Sequence, residues 1–170
     1  MNAILVLLAA LVLGACTSSA QLPSERPADF ALAYGWSTGS IPPPHSYSRR
    51  LEVAPDGSGT LQTSLNYVDG DPDTMLAFQL SDADLDALYA DLVATGGLGR
   101  SWGSGNPPPG SRSAWIDVTA NGATTEVPSY VSRRHQLKQQ MIDVVEGAVP
   151  TDVLEAERAW LAGHQQPRGR

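Results

Sequence analysis

A single cysteine, Cys16, in 170 residues leaves no thiol to pair with. That excludes an internal disulfide, a CxxC redox pair and a thiolate zinc site, so the fold must hold by packing alone. Basic residues are few: 11 Lys and Arg stand against 18 Asp and Glu, for a net charge of −7. An acidic chain repels phosphate backbones and anionic lipid headgroups. Nucleic acid is therefore not expected as a partner, and a basic surface is not what would hold the chain to a membrane. The only histidines are His45, His135 and His164. None has ligand spacing to another His, Asp or Glu, and no metal or cofactor is expected. A G-x-S-x-G elbow is absent too, and no catalytic residue is assigned.

Two motifs fail on inspection. Gly103–Arg112 is rich in Gly and Pro, but no Lys-Ser/Thr follows its last Gly directly, and three prolines remove N–H donors from any phosphate cradle. Asp69, Asp71 and Asp73 alternate like a calcium loop. Thr74 and Leu80 then occupy the positions where Gly and Glu are required.

What the sequence does have begins with an apolar run, Ala3–Leu13, preceded by no charged side chain. It is shorter than the ~20 residues that cross a bilayer core and matches the apolar region of an export signal. Leu13-Gly14-Ala15-Cys16 follows. This resembles the lipobox of type II signal peptides: an apolar residue, two small residues that let an extended backbone enter a protease groove, and a thiol that takes a diacylglyceryl group. The resemblance implies cleavage between Ala15 and Cys16, with lipid on Cys16 as the membrane attachment. It also implies a place in the cell envelope. Thr17, which is not Asp, favours the outer membrane facing the periplasm. The segment before the apolar run, Met1-Asn2, departs from the pattern in lacking Lys or Arg.

The expected organisation is a signal over 1–15, a lipidated start and flexible tether over 16–27, a single α+β domain over 28–163 and a disordered tail over 164–170. The domain should be an antiparallel sheet of about five to six strands, with two clear hairpins, packed by two to three helices. Parity sets the hairpins. Tyr47, Leu51 and Val53 are odd, as are Leu61, Leu65 and Tyr67, and Pro55-Asp56-Gly57 supplies the odd loop they need. Ile116 and Val118 are even while Thr125 and Val127 are odd, and Asn121-Gly122 supplies an even, type I′ turn. Further strands are expected at Met75–Leu80 and Phe30–Tyr34. Helices are expected from Ser81, with a Ser81/Asp84 capping box, to Gly96-Gly97; from Ser132 to Gly147, along Leu137, Met141, Val144, Val145 and Ala148; and from Thr151 to Gly163, along Val153, Leu154, Trp160 and Leu161. PPP recurs at 42–44 and 107–109, and the same offset of 65 aligns the two hairpins. A loose internal duplication is one reading, and coincidence of common turns the other.

The one hint of a binding surface is aromatic and basic. Trp36 and Trp102 flank the two Pro-rich loops, and Arg49, Arg50, Arg133, Arg134 and Lys138 concentrate in two places. Such residues build recognition surfaces, though they also cap cores and solvate faces. Tyr34-Gly35-Trp36, Pro42–Pro44 before Tyr47, the Pro-Asp-Gly hairpin and Ser81–Leu85 together resemble small bacterial lipoproteins with domains of unknown function, over residues 30–128. That resemblance implies a compact α+β domain and says nothing about activity. The expectation is an envelope-anchored, non-enzymatic module that binds an envelope protein or serves structurally. The alternative is a small-ligand or hydrolytic protein with a site between the Pro-rich loops, near Trp36, Trp102 and His135.

Overall fold

The computed structural model describes residues 23–42, 45–65, 70 and 72–164, which form six strands and three helices joined by turns and loops. Ala15, Cys16, Tyr67, Asp69, Asp71 and the end of the expected tail lie outside those residues.

The first hairpin joins β2 (Tyr47–Val53) to β3 (Ser58–Leu65). Leu51 stands opposite Leu61 and Tyr47 opposite Leu65, the register that parity demands. Gly57 closes the turn at φ 81°, and Ala54 N donates to Ser58 O at 2.8 Å. The second hairpin joins β5 (Ser113–Ala120) to β6 (Ala123–Val127). Asn121 and Gly122 have φ 55° and 72°, as a type I′ turn requires. Asp29 reinforces it by accepting from Asn121 N at 2.7 Å and Gly122 N at 2.6 Å. Those bonds hold the Asp29 carboxyl below the usual carboxylate range.

β1 (Ala31–Ser37) lies between the hairpins, and β4 (Asp73–Gln79) edges the first of them. The sheet is antiparallel throughout, in the order β4-β3-β2-β1-β5-β6. β1 extends beyond the expected Phe30–Tyr34 because Trp36 and Ser37 keep partners on both sides. The hairpins at offset 65 grow outward from β1 in opposite directions, with the same face toward the helices. The two hairpins share turn chemistry and strand parity and lie on opposite sides of β1.

One face of the sheet carries Leu32, Tyr34, Leu51, Leu61, Ile116 and Val118, all buried. Helices cover it. α1 (Asp82–Thr95) begins at the Ser81/Asp84 capping box and ends at Gly96 in the left-handed region, φ 70°. Its Leu85 and Leu92 are fully buried, each worth ~1.5–3 kcal/mol. α2 spans His135–Gly147 and α3 Thr151–His164. α2 starts later than expected because residues 130–132 are engaged as extended chain. Val131 bridges Ser104, Gly105 N donates to Tyr130 O, and Ser132 N donates to Gly103 O. The buried stripe of α2 is Lys138, Met141, Ile142 and Val145, so Leu137 and Val144 turn to its flank. On α3 the stripe is Val153, Glu157 and Leu161, with Leu154 and Trp160 half-buried. His164, expected in the tail, ends α3 and stacks on Trp160 at 4.5 Å.

The molecule has two distinct ends. At one lie both hairpin turns and the point where the chain joins the domain. Within the stretch read as tether, Arg26 bonds Asp86 at 2.7 Å and Asp82 at 3.1 Å, and Pro23 O accepts from the Tyr89 hydroxyl at 3.0 Å. At the other end lie the two Pro-rich loops.

Candidate functional site

The residues singled out from sequence do not form one surface. Arg49 faces the helices, stacked 5.7 Å from Trp36 and 5.8 Å from Tyr47. Arg50 faces the opposite side, over Trp115 at 5.6 Å, and pairs with Glu52. Trp102 is partly buried against the core and donates from Nε1 to Gly97 O at 3.3 Å. Arg134 donates to Ser101 O, while Arg133 and His135 are exposed. Among the described residues no hydrogen bond joins His135 to a serine or a carboxylate. The alternation of a strand separates Arg49 from Arg50, and the late start of α2 leaves His135 at the helix surface.

The Pro-rich loops do meet, and a groove of about 590 Å³ lies between them. Gly39 makes the approach possible: φ is 77°, and any Cβ there would collide with the carbonyls of Gly110 and Ser111. The groove is lined by hydroxyls of Ser37, Ser40, Ser111 and Ser113, by Pro107–Pro109, and by Ile41 and Tyr130. Tyr130 donates to Ser111 O at 3.2 Å, and Ser111 Oγ donates to Pro108 O at 2.7 Å. No charged side chain lines it among the described residues. Trp36, Trp102 and His135 are not part of its wall. Adjacent uncharged hydroxyls with proline rings suit an extended, neutral chain.

Under the helices lies a second concave place, whose key residues the sequence reading missed. Glu157 is fully buried. Its carboxylate accepts from Arg49 Nε and Nη2, each at 2.6 Å, and from Thr63 Oγ1 at 2.5 Å. This bidentate pair keeps a buried charge satisfied. Beside it, the Tyr34 hydroxyl donates to Glu146 at 2.7 Å. Burial first, and then that carboxylate, push the Tyr34 pKa far above its ordinary value. A cavity of about 170 Å³ sits against Tyr34, Arg49 and Glu146, with Leu51, Leu61 and Leu154 as apolar walls and Arg158 at its mouth. Glu146 also borders a recess of about 350 Å³ that reaches Trp36, Arg112 and Lys138.

Among the described residues Lys138 has no carboxylate partner. Its ammonium donates to Ala114 O at 2.5 Å, Pro128 O at 2.7 Å and Ser129 O at 2.6 Å. Burial lowers its pKa to about 8. It ties the N-terminal half of α2 to β5 and to the chain after β6. A signal for both buried ions was present: each is a charged residue at helical spacing within an apolar stripe.

Among the described residues no group of three or more His, Cys, Asp and Glu side chains could hold a metal ion, and no helix is long and apolar enough to cross a membrane. Comparison of the chain with protein-family models and with curated sequences finds no match.

Proposed function

We propose that this chain is a lipid-anchored, non-enzymatic binding module of the cell envelope. Cys16 carries the lipid, and the groove between the Pro-rich loops receives an extended, uncharged segment of a partner protein. The observation that carries this reading is the opposition of the two ends. The chain joins the domain beside the hairpin turns, where Arg26 is clamped to α1. The groove opens beyond the far ends of β1 and β5. The seven residues of β1 separate the ends by ~23 Å. A domain tethered at one end presents the other to the periplasm.

The lipid itself is supported by the apolar run and by Leu13-Gly14-Ala15-Cys16. The seven residues from Cys16 to Pro23, whose carbonyl the Tyr89 hydroxyl holds, reach at most ~25 Å, which lets the domain stand off the headgroups. Recognition rather than acyl transfer is supported by the partners of Ser111, which are a proline carbonyl and a tyrosine hydroxyl with no imidazole. A photo-cross-linking residue at Ile41, and separately at exposed Met75 on the open sheet face, tests the reading in the native host. One discrete protein adduct is expected from position 41 and none from 75. Adducts of equal yield at both, or none at 41 with the protein confirmed in the envelope by intact mass, would overturn it.

A further inference from the structure

We infer that the cavity beneath the corner between α2 and α3 binds a small α-amino acid with an apolar side chain. This site is separate from the groove between the loops. Glu146 and Arg158 carry opposite charges, are both exposed, and line the same cavity, yet form no ion pair with each other. Glu146 Oε1 accepts from Tyr34, which leaves Oε2 open to another donor. Arg158 has no hydrogen-bond or ion-pair partner among the described residues. The neighbouring Arg49 already commits its Nε and Nη2 to Glu157, whereas the guanidinium of Arg158 is wholly uncommitted among the described residues. Beneath these two charges the walls are Leu51, Leu61, Val149 and Leu154.

An ammonium alone would use Glu146, a carboxylate alone would use Arg158, and an apolar molecule would use only the floor. An amino acid uses all three on one small frame. The volume, about 170 Å³, suits it. An apolar cavity of roughly 150 Å³ accepts a benzene ring, so a branched aliphatic chain or a ring fits here. The Arg49–Glu157 pair fixes one wall before any ligand arrives, which lowers the ordering cost of binding.

The test titrates L-leucine into the full chain while methyl resonances of Leu61 and Val149 are followed by NMR. L-leucinamide, lacking the carboxylate, and N-acetyl-L-leucine, lacking the ammonium, are titrated in parallel. Saturable shifts are expected with L-leucine, and each analogue should bind at least ~10-fold more weakly. Glu146→Gln should erase the preference over N-acetyl-L-leucine, and Arg158→Gln the preference over L-leucinamide. Both changes are at exposed positions, so the thermal midpoint should hold. No saturable shift with L-leucine, L-valine or L-phenylalanine up to about 10 mM would overturn the inference. So would equal affinity for all three leucine compounds, or affinity unchanged in both variants.

Discussion

Arg49 and Arg50 are neighbours in sequence and inhabit different physical worlds. Arg49 lies on the covered face, where its side chain is 23% exposed and the carboxylate it meets is 0% exposed. Arg50 lies on the open face, 55% exposed, against a Glu52 that is 50% exposed, with Trp115 beneath it. Both are ion pairs with an aromatic ring close by. Only one is desolvated, and desolvation decides how much is lost when a partner is removed. The covered face therefore holds its polar groups in fixed positions around a cavity. The open face holds them in water, where they can rearrange at little cost.

Five substitutions sharpen that contrast. Arg49→Met strands the Glu157 carboxylate and should cost ~3–5 kcal/mol in urea unfolding. Replacing both partners, Arg49→Met with Glu157→Leu, should recover most of that loss. Lys138→Met leaves three carbonyls without their donor and should cost ~2–4 kcal/mol, read in the same way. On the open face, Gly35→Ala drives a methyl into the Trp115 indole that lies across β1, at a cost of ~1–3 kcal/mol, with a changed Trp fluorescence as a second readout. Arg50→Ala should cost less than ~1 kcal/mol, and less again in high salt.

A pH series divides the faces again. The folded pKa of Lys138, about 8, is below its ordinary 10.5. Between those values the unfolded chain holds the extra proton, so stability rises with pH. Tyr34 acts in the opposite sense, but only above its ordinary 10.0, where the unfolded phenol ionises and the folded one does not. Unfolding free energy should thus increase from pH 7.5 to 9.5 in the parent chain. The increase should vanish in Lys138→Met and persist in Arg50→Ala.

Both hairpins were legible in the sequence because alternation and loop length overdetermine them. Leu51 opposite Leu61 demands an odd loop, and Pro55-Asp56-Gly57 is one. The α1 start was legible because Ser81 and Asp84 satisfy each other locally. The start of α2 was not, because residues 130–132 are held by residues 103–105, a long-range contact that propensity does not encode. Glu157 was passed over, and Lys138 was grouped with the surface basic residues, because charge on a helix is normally read as solvated. Their spacing within apolar stripes already indicated burial. Grouping Arg49 with Arg50 ignored the rule that set the hairpin: Arg49 shares the odd face of Tyr47, Leu51 and Val53, and Arg50 does not. The approach of Gly39 to Ser111 depends on two loops folding toward each other, and nothing local announces it.

A double-mutant cycle on Arg49 and Glu157, run beside one on Arg50 and Trp115, tests the distinction between the faces most directly. Coupling of at least ~2 kcal/mol is expected for the covered pair and under ~1 kcal/mol for the open one. Equal coupling in the two cycles would contradict the account.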